Sequence, residues 1–259
     1  MKAYIDRLRE IGYEKPRAAL ALLALAFFGI LYFLIGFNAP PGWSAAFFAL
    51  ALCYLTAFMA LASEWFWARW FASGLGWSGA MVGVFALVIH GWQPALAVYG
   101  GLHALVVAML AGPKIAARYD LQPAWRERFA MDDFGVQRLR KAVTRGSAAL
   151  PSLILWALGP REEAASTAIL LMAVALTTLG LSGLVRLRSW GVLALGGATL
   201  AAFAALGLTS GLGQGIFAGT TGAAPFAAVL APMAVAALLW LPLAVLPFVG
   251  PVARYLRAR

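Results

Sequence analysis

Apolar runs of about 20 residues recur along this chain and constrain its fold more than any other feature, because about 20 apolar residues let a helix cross a bilayer. Seven runs contain no Asp, Glu, Lys or Arg: Ala18–Phe37, Trp43–Ala62, Phe71–Ile89, Pro94–Ala111, Ala164–Leu184, Trp190–Leu208 and Ala223–Phe248. With 63% hydrophobic and only 12% charged residues, the 259 residues supply too little polar surface for a water-soluble domain. The predicted fold class is therefore all-α, a polytopic integral membrane helical bundle.

An eighth segment, Gly146–Gly159, decides the topology. It has 14 residues and contains Pro151, so it is short for a span unless Lys141 and Arg145 extend to the headgroup region. If this segment crosses, 19 of the 20 Lys and Arg residues lie on the amino-terminal side and only Arg161 lies opposite. If it does not cross, the cations after Arg161 move to the other side. Because cationic loops resist translocation, we predict eight membrane helices with the N-terminus and the C-terminus cytoplasmic.

This topology divides the chain into five parts. They are a cytoplasmic amphipathic segment 1–17, the first four transmembrane helices 18–111, a charged cytoplasmic loop 112–146 with short amphipathic helices, the second four transmembrane helices 147–250, and a basic cytoplasmic tail 251–259. The net charge of +10 then belongs to helix ends that face anionic lipid headgroups, so membrane lipids are expected partners and nucleic acid is not. The composition, rich in Ala, Leu, Gly and Arg, suggests the bacterial inner (cytoplasmic) membrane.

The densest aromatic cluster of the chain lies between the second and third apolar runs, at Glu64–Phe71. Trp residues at such a boundary ordinarily anchor helix ends in the headgroup region. The functional alternative is that Trp65, Trp67, Arg69 and Trp70 hold a lipid, a quinone or a hydrophobic substrate, with Glu64 and Arg69 as a polar pair at the mouth.

The two histidines lie in or beside membrane segments. His90 is at the outer end of the third run, and His103 is near the middle of the fourth, one helical turn after Tyr99. Ionisable groups at that depth are costly and often functional, which makes His90, Gln93, Tyr99 and His103 candidate ligand contacts. The alternative is a neutral His103 imidazole that forms a hydrogen bond across a helix contact, since small residues recur every fourth position beside it.

The segment between the last two runs, Leu208–Gly222, is rich in Gly and Thr and has no charge. Such a loop either is a flexible external linker or re-enters a protein-lined cavity, where its backbone could contact a solute. In the second case, Gln214, Thr220 and Thr221 are candidate pathway residues.

The cytoplasmic loop carries an apolar stripe, because Leu121, Trp125 and Phe129 recur every fourth residue in an otherwise charged stretch. Lipid or protein must cover such a stripe. The sequence leaves open binding to the membrane surface and docking of a cytoplasmic protein or a neighbouring subunit.

Catalytic signals are weak by comparison. We find no candidate catalytic residue, metal site or cofactor, and the single cysteine, Cys53, rules out an intrachain disulfide and a Cys-based zinc site. Close-packing patterns such as Gly79-x-x-x-Gly83 are abundant. The leading hypothesis is a non-catalytic integral membrane subunit that anchors or organises a larger complex of membrane proteins. The alternatives are a transporter or channel for a neutral, anionic or lipid-like solute, and a membrane enzyme that handles a lipid or quinone.

Overall fold

The computed structural model describes residues 14–120, 122–128, 132–160, 164–210 and 224–257, and these ranges are almost entirely helical. We number the helices α1 (Glu14–Asn38), α2 (Ser44–Ala62), α3 (Ala68–His90), α4 (Pro94–Leu110), α5 (Pro113–Asp120), α6 (Pro123–Arg128), α7 (Asp133–Leu158), α8 (Ala164–Val185), α9 (Trp190–Ser210) and α10 (Ala224–Arg257).

Six of these helices, α1, α2, α3, α8, α9 and α10, are long and apolar enough to cross a membrane. The pair α4 and α5 passes the same test together, with a bend of 75° between its two parts, which raises the number to 7 if the pair is one span. The expected all-helical, multi-pass membrane architecture is confirmed at this level.

Helix α7 occupies the centre of the bundle. It continues without interruption from the predicted charged loop into Gly146–Gly159, so no break separates the two at residue 146. The Asp132 carboxylate caps the helix by accepting a hydrogen bond of 2.7 Å from the Gly135 N–H, and the helix ends before Gly159 and Pro160. Most side chains from Ala142 to Ala157 are buried, against α2 and α3 on one side and α8 and α10 on the other.

Small residues let the central helices approach closely. A Cβ atom at Gly74 of α3 would overlap the Ser147 hydroxyl and the Thr144 carbonyl of α7. On another face of α3, a Cβ atom at Gly83 would lie 2.5 Å from the Cα of Gly100 of α4. Only glycine permits these separations, so α3 is held between α4 and α7 at backbone contact distance.

The two ends of the bundle differ in chemistry. At one end, Gly42 and Trp43, which precede α2, pack against Pro160 and Gly159, which follow α7. At the other end, α5 folds against the start of α3 through the ion pair Arg69–Asp120 and against the segment between α2 and α3 through Arg118–Glu64, while Trp125 of α6 stacks on Phe66. Helix α7 therefore runs from the charged end of the bundle to the opposite end.

Candidate functional sites: a lateral cleft and a buried histidine cluster

The His103 side chain is fully buried where α1, α2, α3 and α4 meet. Its Nε2 atom lies 2.8 Å from the Tyr54 hydroxyl, and its Nδ1 atom lies 2.9 Å from the carbonyl oxygen of Tyr99, one turn earlier in α4. The Phe28 ring lies against the imidazole, with the two ring centroids 3.7 Å apart. A second hydrogen bond, of 2.8 Å, joins the hydroxyls of Tyr32 and Tyr99. Three helices are therefore cross-linked by polar side chains in an apolar region.

The space beside this cluster is too small for a substrate. The adjoining cavity is about 10 Å³, which is room for about one water molecule. It is bordered by the Ser78 and Ser152 hydroxyls, which are buried and have no hydrogen-bond partner within the described ranges. Both ring nitrogens of His103 have polar neighbours, and its side chain is fully buried, which favours the interpretation of His103 as a helix-contact residue.

His90 and Gln93 lie apart from this cluster. Both are exposed, at the end of α3 and at the turn into α4. Of the four candidate ligand residues, the structure brings together only Tyr99 and His103.

A ligand-sized cleft of about 650 Å³ lies on the side of the bundle, and we call it the lateral cleft. It lies between α2, α7 and α8, with the segment before α3 at its charged end. Its lining residues are Ala49, Leu52, Cys53, Thr56, Trp65, Trp67, Phe71, Leu150, Ile154, Val174, Thr178, Leu181, Ser182, Val185 and Arg186.

The wall of the lateral cleft is mainly aliphatic and aromatic, and its one charged group lies at the end. Arg186 follows the last residue of α8, at the same end as Trp65 and Trp67. The Thr178 hydroxyl is already engaged, because it donates to the carbonyl of Val174 at 2.9 Å. An apolar wall that ends in a cation and two indoles is chemically suited to an amphiphile with an apolar chain and an acidic headgroup.

Sequence reasoning singled out Trp65 and Trp67 as candidate lipid contacts, and both line the lateral cleft. It missed the facing wall on α7 and α8 and the cation Arg186. The only sequence signal for Arg186 was its place among the cations of a short turn, since the residues that face it across the cleft are about 120 positions away.

Arg69 and Trp70, the other two predicted interface residues, are buried elsewhere. The Arg69 Nε atom donates to Asp120 Oδ1 at 2.8 Å, and its Nη1 atom donates to the Leu110 carbonyl at 3.1 Å. Glu64 is paired with Arg118, so Glu64 and Arg69 do not form the polar pair that the sequence suggested. Trp70 packs edge-on against Phe66.

Trp125, a predicted partner-docking residue, is covered by its own chain. Its indole stacks on Phe66 with a centroid separation of 4.2 Å and meets the Trp70 ring edge-on at 6.4 Å. The predicted docking residues Leu121 and Phe129 lie outside the described residues, as do the predicted pathway residues Gln214, Thr220 and Thr221.

Within the described ranges, no three His, Cys, Asp or Glu side chains lie close enough together to hold a metal ion. No protein-family model, no curated protein and no solved structure matches this chain.

Proposed function

We propose that this protein binds a lipid-like amphiphile in the lateral cleft and that it acts as a non-catalytic membrane protein that holds or transports this molecule. The observation that supports the proposal is the cleft itself, with a volume of about 650 Å³, an apolar wall and Arg186 at one end. This volume is within the range of about 300–1,000 Å³ that is usual for small-molecule sites. The apolar chain would lie along Leu150, Ile154 and Val174, and the acidic headgroup would lie at Arg186.

The proposal includes eight membrane helices with both termini cytoplasmic. Added to the six long helices and the bent pair α4 and α5, α7 makes the eighth span. Its support is the contact of Gly159 and Pro160 with the turn before α2, at the end opposite Asp133. This arrangement keeps the cation-rich segments on one side, in agreement with the positive-inside rule, and favours the bacterial inner membrane as the location.

The cleft is tested by filling it with one side chain. Val174→Trp adds a large ring to the wall, and Met172→Trp is the matched control because Met172 is on the same helix, is 50% exposed and does not line the cleft. We expect the wild-type protein, extracted in mild detergent, to retain a near-stoichiometric amphiphile that mass spectrometry of the extracted lipids identifies. Retention should fall at least tenfold in Val174→Trp and stay unchanged in Met172→Trp.

Equal retention in the two variants would contradict the proposal, provided that both elute as folded protein in size-exclusion chromatography. A further variant, Arg186→Gln, reports on the headgroup. It should weaken the retention of acidic amphiphiles and leave that of uncharged ones unchanged, because it removes the only charged group that the described residues contribute to the cleft lining.

The hypothesis of a subunit in a larger complex stays a prediction, with companion proteins at fixed stoichiometry as its signature. Trp125→Ser is unsuitable for testing it, because this side chain packs inside the protein and its loss would disturb the charged end of the bundle. The membrane-enzyme hypothesis also stays a prediction, and turnover of a lipid or quinone in detergent would be its signature.

A further inference from the structure

Two adjoining hollows lie at the charged end of the bundle, on the face formed by α3, α7 and α10. The first, of about 270 Å³, is lined by Arg69, Trp70, Ser73, Trp77, Arg140, Lys141, Thr144, Arg145 and Trp240. The second, of about 370 Å³, is lined by Phe134, Gln137, Arg138, Lys141, Arg145, Leu246 and Pro247. Lys141 and Arg145 line both hollows, so the two are neighbours, and we call them together the basic pocket.

The basic pocket has excess positive charge. Arg138, Arg140, Lys141 and Arg145 follow one another along two turns of α7, and none of them has a carboxylate within salt-bridge distance among the described residues. A fifth cation, Arg69, is already neutralised by Asp120. Like charges on successive turns of a helix repel one another, so the cluster favours an anionic ligand.

Arg145 is held in place by the backbone of α10. Pro247 has no N–H group and therefore leaves the carbonyl of Leu243, four residues earlier, without its helical partner. The Arg145 Nη1 atom donates to this carbonyl at 2.8 Å. Because this hydrogen bond fixes the guanidinium between the two hollows, the pocket has a positioned cation rather than only mobile surface charges.

The rim of the basic pocket is apolar and exposed. Trp77, Leu246 and Phe134 are 46%, 54% and 69% exposed, respectively. Trp70 and Trp240 also line the pocket, and their indole N–H groups are buried without an acceptor within the described part of the chain. A soluble anion would leave the apolar rim uncovered, whereas the acyl chains of a phospholipid would cover it while its phosphate contacts the cations.

We propose that the basic pocket binds the phosphate headgroup of an anionic phospholipid, with its acyl chains on the exposed side chains of α3 and α10. Basic pockets between membrane helices on the cytoplasmic side bind such headgroups in other proteins. The site is separate from the lateral cleft and independent of the cleft's function, since α7 contributes residues 134–145 to the pocket and Leu150 and Ile154 to the cleft.

The test is native mass spectrometry of the delipidated full chain during titration with phosphatidylglycerol. Lys141→Gln and Arg140→Gln remove pocket cations, while Arg188→Gln removes an exposed cation in the turn between α8 and α9 and keeps the same net charge as either variant. We expect one phosphatidylglycerol binding event to weaken about fivefold in each pocket variant, as expected for one cation near a membrane surface. It should be unchanged in Arg188→Gln and in the cleft variant Val174→Trp.

The competitors identify the ligand class. Phosphatidylcholine and inorganic phosphate should each fail to displace the bound phosphatidylglycerol at tenfold excess. Displacement by phosphatidylcholine would overturn the requirement for an anion, and displacement by inorganic phosphate would overturn the assignment to a lipid. Equal affinities in Lys141→Gln, Arg140→Gln and Arg188→Gln would overturn the location of the site.

Discussion

Some polar groups inside this bundle have partners that are close in space and distant in sequence. His103 is hydrogen-bonded to Tyr54 of another helix, and Arg145 donates to a carbonyl that Pro247 leaves free. At the exposed end of α4, Arg17 donates to the carbonyls of Ala108 and Ala111, at 2.7 and 2.5 Å. In hydrocarbon, a backbone group without a partner costs several kcal/mol, so such contacts determine where a polar residue is tolerated.

The contact between Gly79 and His103 gives a prediction at this scale. A methyl group at Gly79 would overlap the imidazole, which two hydrogen bonds and the Phe28 ring hold in place. We expect Gly79→Ala to lower the free energy of unfolding by about 2 kcal/mol, a typical cost of overpacking. Thermal unfolding in detergent measures the change.

Gly101→Ala is the control, because it is also a helix glycine and a Cβ atom there would have no neighbour within 4 Å. It should leave the melting temperature unchanged or raise it, since Ala is the better helix former by about 1 kcal/mol. If Gly79→Ala and Gly101→Ala had the same melting temperature, the His103 ring would not be held in place as described.

At the scale of helices, the charged end is built by docking α5 and α6 under the start of α3. Asp120 of α5 pairs with Arg69, Gln122 donates to the carbonyl of Glu64 at 2.9 Å, and Trp125 of α6 stacks on Phe66. The helices α5 and α6, which connect the two halves of the chain, therefore pack against the first half.

The Arg69–Asp120 pair is the central contact of this docking and can be compared with an exposed pair beside it. The side chains of Arg69 and Asp120 are 10% and 5% exposed, whereas those of Arg118 and Glu64 are 31% and 46% exposed. We expect Asp120→Asn to lower the free energy of unfolding by about 3 kcal/mol, because it leaves a buried guanidinium without its counter-ion. Glu64→Gln should cost less than about 1 kcal/mol.

Chemical unfolding of both variants in the same detergent measures the difference. Costs of equal size would mean that Arg69 finds another anion or reaches water when Asp120 is lost, and that the Arg69–Asp120 pair is not the central contact of the docking.

The docking also shows where sequence reasoning reached its limit. The sequence predicts that the cluster Glu64–Phe71 anchors helix ends in the headgroup region or holds a lipid, a quinone or a hydrophobic substrate, and that lipid or protein covers the loop stripe at Trp125. The periodicity of the stripe indicates that its apolar face must be covered, but it does not identify the group that covers it. In the structure, Phe66 and Trp125 cover each other. Neither local pattern predicts this contact, because the two residues are 59 positions apart in the sequence.

At the scale of the whole molecule, α7 is the central helix of the bundle. It packs against α2, α3, α8 and α10, and it borders both the lateral cleft and the basic pocket. A helix that is surrounded by protein does not need 20 apolar residues, because its neighbours shield its polar and small residues from lipid. The short apolar length of Gly146–Gly159 is consistent with this central position.

The proposed topology predicts the labelling of single cysteines in a Cys53→Ala background. Trp92→Cys, in the exposed turn between α3 and α4, and Arg161→Cys should react with a membrane-impermeant maleimide in intact cells. Arg188→Cys should react only after permeabilisation. If α7 does not cross, Arg161→Cys and Arg188→Cys exchange their behaviour, and the two topologies are thereby distinguished.

The sequence by itself determined that the helices of this protein lie in a lipid bilayer and where along the chain most of them occur. Charge-free apolar runs can be satisfied only by helices in a bilayer, and six of the seven runs correspond to helices that qualify individually as membrane spans, the seventh to the bent pair. The tertiary structure alone decided which faces meet. Helices with apolar side chains all round carry no strong preference for one neighbour in lipid, so specific contacts, such as Gly74 against Ser147 and Arg69 with Asp120, choose the arrangement. The lateral cleft and the basic pocket follow from that choice, since each joins helices that lie far apart along the chain: α2 with α7 and α8 in the cleft, and α3 with α7 and α10 in the pocket.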